Sequence, residues 1–128
     1  MANSCAPEIF GADPVTIQWR VIRGDTATLR VEFYQDDEVT YYDTENWTYK
    51  CTAYDQFGDV LDSLSCDAFD GYVNITANPE TTENWGTGYK STVAELPFDV
   101  QVIVDDLVWT PVVGTIYVIG DVSPGGSL

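Results

Sequence analysis

The sequence predicts an all-β domain, a single antiparallel two-sheet β-sandwich of the Ig-like kind, and three observations carry that expectation. Apolar and polar residues alternate in short runs along most of the chain, the period of two that turns one face of a strand inward. Gly, Asp, Asn and Pro punctuate the runs where a turn is needed. No long amphipathic helical pattern appears, and the roughly seven or eight short strands that fit suit a sandwich, with a small barrel as the alternative.

Met1 to Pro14 contains two prolines, a glycine and no periodicity, so residues 1–14 read as an extended arm. Its apolar pair, Ile9 and Phe10, is placed to anchor the arm to its own domain or to a neighbour. The sandwich itself is expected over 15–120. Val15, Ile17, Trp19 and Val21 point one way, and Arg23-Gly24-Asp25 makes the turn. Ala27, Leu29, Val31 and Phe33 then alternate with Thr28, Arg30 and Glu32 as a half-buried strand. Gln35-Asp36-Asp37-Glu38 is a charged turn leading to a short segment around Thr40, Tyr41 and Tyr42.

A further strand is predicted from Trp47 to Tyr54, with Trp47, Tyr49, Cys51 and Ala53 on one face. Asp55-Gln56-Phe57-Gly58 is turn chemistry. Val60 to Leu64 and Tyr72 to Ala77 give two more strands, with Asp70-Gly71 as the turn signal. Pro79 to Trp85 is the one helical stretch, with proline at its start and Gly86 past its end. Leu96, Phe98, Val100, Val102 and Val104 share a face, and Pro97 suggests a strand that begins near an edge. Asp105-Asp106 turns the chain into Leu107 to Trp109, and a separate strand from Val113 to Ile119 completes the sheet. Residues 121–128, rich in Gly, Ser and Pro, read as a flexible tail.

Composition narrows function. The 128 residues carry 21 Asp and Glu against five Lys and Arg, a formal net charge of −16. Phosphate recognition needs clustered cations, whereas Arg20, Arg23, Arg30, Lys50 and Lys90 are scattered. Nucleic acid and anionic membrane are therefore not expected partners. The N-terminus has neither the basic region nor the apolar run of a signal peptide, and no stretch approaches the ~20 apolar residues of a membrane span. Cys5, Cys51 and Cys66 have no metal-ligand spacing. Reduced, structural thiols are expected, with a Cys51–Cys66 bridge left open.

Catalysis lacks parts. There is no histidine, which removes the usual general base and the Ser-His and Cys-His pairs. No phosphate cradle of the P-loop kind occurs. The abundant carboxylates sit mostly in turns, where solvated charge is the ordinary state, so a two-carboxylate hydrolase is not expected. Calcium has better material in Asp36, Asp37 and Glu38, in Asp55 and Asp59, and in Asp67 and Asp70, but none matches an EF-hand loop. No cofactor or metal ligand set is assigned. Asn46-Trp47-Thr48 and Asn74-Ile75-Thr76 match the glycosylation pattern, yet both lie in strand-like context.

Aromatic residues remain, at 13% of the chain. Trp19 and Trp47 fall on apolar strand faces and belong to the core. Trp85 follows a polar segment, and Tyr41, Tyr42 and Tyr89 lie in loops. With Ile9 and Phe10 they form the candidate protein interface, since Tyr and Trp are enriched at such surfaces.

One pattern goes beyond composition. Val21-Ile22-Arg23-Gly24-Asp25-Thr26, then an alternating strand, a polar turn and Asn46-Trp47-Thr48-Tyr49-Lys50-Cys51-Thr52-Ala53, resembles β-sandwich domains of tailed-bacteriophage virion proteins. Gly88-Tyr89, Phe98-Asp99-Val100 and Val113-Gly114-Thr115-Ile116-Tyr117-Val118 resemble their later strands, so the likeness spans about residues 20 to 120. The resemblance implies a non-enzymatic virion component, either a capsid decoration or cement protein or a tail-fibre or baseplate adaptor. Its partners would be the major capsid protein or tail and baseplate proteins, in a multi-copy assembly that includes homo-oligomers, within the virion. The alternative expectation is a carbohydrate- or calcium-binding β-sandwich module.

Overall fold

Among the described residues the chain forms seven strands and one short helix. They are β1 (Val15–Ile22), β2 (Ala27–Glu32), β3 (Thr48–Tyr54), β4 (Val60–Phe69), β5 (Tyr72–Ala77), α1 (Pro79–Asn84), β6 (Val93–Val104) and β7 (Leu107–Ile119). The structure, a computed structural model, describes residues 12–35, 39–55, 57–85 and 93–120. Most of the expected arm, the 121–128 tail and the turn residues 36–38 lie outside them.

The strands follow one hydrogen-bonded order, β1-β7-β6-β3-β4-β5-β2. β4 holds the two parts together. Its first half pairs with β3, Cys51 opposite Leu64, and its second half pairs with β5, Phe69 opposite Tyr72. The ends of the order, β1 and β2, are joined by the Arg23–Thr26 turn but share no ladder among the described residues. The result is an all-β, nearly barrel-like sheet with one open seam.

The expectation of a wholly antiparallel fold is corrected at one pair. β1 lies parallel to β7, from Val15 opposite Val112 to Ile22 opposite Ile119. The chain turns through Gly24, at φ 89°, and β1 satisfies its backbone on the outer edge of β7. Gly114 makes that approach possible, because a Cβ there would press into the Ile17 carbonyl.

Two strand boundaries also differ. Leu107 to Trp109 and Val113 to Ile119 are one continuous strand. The register shifts where Trp109 faces Val102 and Val112 faces Val100, and Pro111 sits in that bulge, where an absent N–H does no harm. β4 likewise runs on five residues past Leu64 to Phe69. Pro97 is not at a strand start: β6 begins at Val93 and lies inside the sheet. Its tolerance comes from β3, whose pairing with β6 extends only as far as Phe98.

The core follows the predicted faces. Leu96, Phe98, Val100, Val102 and Val104 are all buried, as are Trp19, Val21, Val31, Phe33, Trp47, Cys51 and Ala53. Phe33, Trp47 and Trp109 meet edge-on or tilted at centroid separations of 5.0 to 6.5 Å, a geometry that adds to simple area burial. Cys51 and Cys66 are free thiols. Burial pushes the Cys51 thiol up to about 12 and raises that of Cys66, so both are neutral apolar groups at ordinary pH.

α1 closes one end. Asn78 caps it by accepting the Thr81 N–H at 2.9 Å. The buried Thr82 hydroxyl accepts the Gly24 N–H at 3.0 Å and donates to the Asp25 carbonyl at 2.7 Å. The Arg23-Gly24-Asp25 sequence is therefore a structural turn clasped by the helix.

Candidate protein interface

The outward face of β2, β5 and the second half of β4 follows directly from strand register. Glu32 lies opposite Tyr72, and Tyr72 opposite Phe69; one step along, Arg30 lies opposite Asn74, and Asn74 opposite Asp67. Tyr34, just past β2, forms an isolated bridge with Tyr41, which brings a third segment over the same face.

Four aromatic rings form a strip across it. Tyr34 stacks on Tyr41 with centroids 4.8 Å apart, Tyr41 meets Tyr72 at 6.0 Å, and Tyr72 stacks on Phe69 at 4.9 Å. The Arg30 guanidinium sits 3.8 Å above the Tyr72 ring, a cation–π contact. Phe69 remains 46% exposed and Tyr34 36%.

Polar bonds hold the rings. The Tyr41 hydroxyl donates to Glu32 Oε2 at 2.8 Å, Arg30 Nε donates to the same oxygen at 3.0 Å, and the Tyr34 hydroxyl donates to Glu32 Oε1 at 3.3 Å. The Tyr41 hydrogen bond, ahead of the Arg30 charge, holds the Glu32 carboxyl below its ordinary range. The same tyrosine, followed by desolvation and by Glu32, pushes the Tyr34 phenol up to about 12.

The base of the strip is set by Thr44, a buried residue. Its hydroxyl accepts the Gly71 N–H at 2.8 Å and donates to the Phe69 carbonyl at 3.1 Å. Gly71 has φ 91°, and a Cβ there would meet the Tyr41 side chain, so only glycine lets Tyr41 lie across the hairpin. Asp43, Glu45 and Asp70 flank an open depression beside Phe69.

On its other side the strip runs into the open seam. There a groove of about 500 Å³ is bounded by Ala12, Asp13 and Val15 on one bank and by Glu32, Tyr34 and Gln35 on the other. Val31, Phe33, Trp109 and Val112 form its apolar floor.

The sequence-predicted residues divide. Tyr41 belongs to the strip. Tyr42 is half-buried against the core, and its N–H donates to the Phe33 carbonyl at 2.9 Å. Trp85 is corrected: it is fully buried, not an exposed contact. It follows α1 as the C-cap, and its indole N–H donates to Asp62 Oδ2 at 2.8 Å, so the polar sequence before it is the outer face of a helix that tucks the ring inside. Ile9, Phe10 and Tyr89 lie outside the described residues. Arg30, Glu32, Tyr34, Phe69 and Tyr72 were not singled out from sequence. The signal available was the Arg30–Glu32 pair on the polar face of β2, with an aromatic residue on each side of Asp70-Gly71.

The geometry suits contact better than chemistry. The stacked rings turn faces toward one another instead of lying coplanar, as a sugar platform would require. Asp55 Oδ1 is occupied by the N–H groups of Phe57 and Asp59 at 2.8 and 3.0 Å, an ordinary Asx turn. Among the described residues no three His, Cys, Asp or Glu side chains gather as a metal site, and no helix is long and apolar enough to cross a membrane.

No family model and no curated protein matches the chain. Among solved structures, the ZIG-8–RIG-5 IG1–IG1 heterodimer is similar over 85% of this chain and 85% of that one, at 8% identity and a TM-score of 0.39. At that distance nothing about the heterodimer's partners transfers to this chain.

Proposed function

We infer that this chain is a non-enzymatic binding domain whose aromatic strip docks on other proteins, as a structural component of a tailed-phage virion. The observation that carries the binding reading is the strip itself. Tyr34, Tyr41, Tyr72 and Phe69 stand on an outer sheet face, and Arg30, Glu32 and Thr44 hold them in place. Side chains ordered in advance lose less freedom on association, and aromatic anchors dominate interface energetics.

The virion assignment is supported by the resemblance of Gly24-Asp25-Thr26, the strand after Asn46 and the Val113–Val118 segment to phage β-sandwich domains. On this reading the domain is a capsid decoration or cement protein, or a tail-fibre or baseplate adaptor. The same resemblance favours a two-layer, Ig-like description of the sheet. β4 is then the strand shared by a β1-β7-β6-β3 layer and a β5-β2 layer.

Immunogold labelling and mass spectrometry of purified particles test both parts. The wild-type chain is expected in regular copies on the shell or at the tail. The double substitution Tyr34→Ser, Phe69→Ser is expected to fold with an unchanged far-ultraviolet spectrum and to lower occupancy about tenfold. Absence of the wild-type chain from particles would sink the virion assignment. Undiminished occupancy by the double variant would remove the strip from the interface.

A further inference from the structure

The seam between β1 and β2 has features that a solvated surface does not need. β1 pairs only with β7 and β2 only with β5 among the described residues, so within those residues the facing sides of the two strands share no ladder. Exposed strand edges are ready templates for another strand. The usual protections are thin here: β2 contains no proline, and its one lysine or arginine, Arg30, is turned onto Tyr72 on the outer face. Between the two edges lies the apolar floor of Val31, Phe33, Trp109 and Val112.

We propose that this groove receives an extended segment of a partner protein, added to the free edge of β2, whose side chains alternate between apolar and basic. The alternation follows from the pleat. Every second side chain of an added strand would face the Phe33–Trp109 floor, and those between would face outward past the rim. The basic character follows from charge. Asp13 stands on one bank and Glu32, paired with Arg30, on the other; among the described residues no lysine or arginine lines the groove, and the chain as a whole carries −16. That field attracts a basic segment and repels a second copy of the same chain. The inference rests on the protein-binding reading above and specifies its mode. The aromatic strip shares Glu32 and Tyr34 with the groove rim, so one partner could engage both.

The test uses the full chain and three synthetic peptides. Their sequences are Lys-Val-Lys-Val-Lys-Val-Lys, the same with each Lys replaced by Glu, and the lysine form N-methylated at every peptide nitrogen. Binding is followed by calorimetry, and amide hydrogen exchange is read by nuclear magnetic resonance. The lysine peptide is expected to bind and to slow exchange at amides on the open side of β2. The glutamate and N-methylated forms are expected to bind about tenfold more weakly or worse, one through charge and the other through lost ladder bonds. Asp13→Lys, an exposed change, is expected to weaken the lysine peptide several-fold while thermal unfolding stays unchanged.

Equal binding by the N-methylated form would overturn strand addition. So would protection of the β2 edge in the free monomer, which would mean that the chain's own first residues fill the groove. Protection that rises with protein concentration would assign the groove to a second copy and equally overturn the proposal. In each of these cases loss of particle occupancy by the Tyr34, Phe69 double variant would leave the wider binding reading standing.

Discussion

Single side chains decide more here than their positions in the sequence suggest. Trp85 sits beside a run of polar residues, and its burial was not legible, because only the three-dimensional path of α1 brings Asp62 to its indole nitrogen. Trp85→Phe keeps an aromatic ring in the core but leaves a cavity beside it, removes that donor and strands a half-buried carboxylate. It is expected to lower stability by about 1–3 kcal/mol in urea unfolding. Gly114 is an equally local case. Gly114→Ala pushes a methyl group into the Ile17 carbonyl and should cost about 2–3 kcal/mol, since backbone, unlike a flexible side chain, cannot move aside cheaply. A Gly114→Ala protein with wild-type unfolding would mean that β1 does not lie as closely on β7 as described.

At the scale of elements, the alternating runs were readable because burial of one face imposes a period of two. Leu96 through Val104 lie inward in register as expected. What could not be read was which edge each strand meets. A one-dimensional pattern does not distinguish a parallel from an antiparallel neighbour, nor a proline at a bulge from one at a strand end. The same limit hid the aromatic strip, whose rings come from β4, β5, the residue Tyr34 just past β2 and the Tyr41 segment, and meet only through register. α1 offers a test of how one element secures another. Thr82→Val removes a hydroxyl that both accepts from Gly24 and donates to Asp25. The expected loss is about 1–3 kcal/mol, with faster amide exchange concentrated in the Arg23–Thr26 turn. Uniform acceleration across the sheet would contradict the clasp.

For the whole molecule, charge and pH dominate. With 21 acidic and five basic residues, self-repulsion opposes the compact state at low ionic strength. Added sodium chloride should therefore raise the unfolding temperature before any specific ion effect enters. At high pH a different term acts. Burial raises the Cys51 thiol from 9.0 to about 12 and moves Cys66, Tyr49 and Tyr54 the same way. An acid whose folded pKa is raised contributes stability that is complete below its unfolded pKa and is lost as pH climbs toward the folded one. Stability should thus decline from about pH 9 toward 12, and Cys51→Ala should flatten part of that decline while lowering stability near neutrality through the small cavity it leaves. An alkaline limb identical in the two proteins would assign the effect to the tyrosines alone.

The parallel pairing of β1 with β7 has a mechanical consequence. Val15 lies at the level of Val112 and Ile119 at the level of Ile22, so these two strand ends point to opposite poles, about 25 Å apart for eight residues of strand. Tension applied at Val15 and Ile119 would slide one strand along the other and strain the whole ladder together. An antiparallel pair pulled from adjacent ends would instead peel open one bond at a time. Strung in line between two anchored neighbours, the domain would act as a stiff link that holds its length until the entire β1–β7 seam gives way.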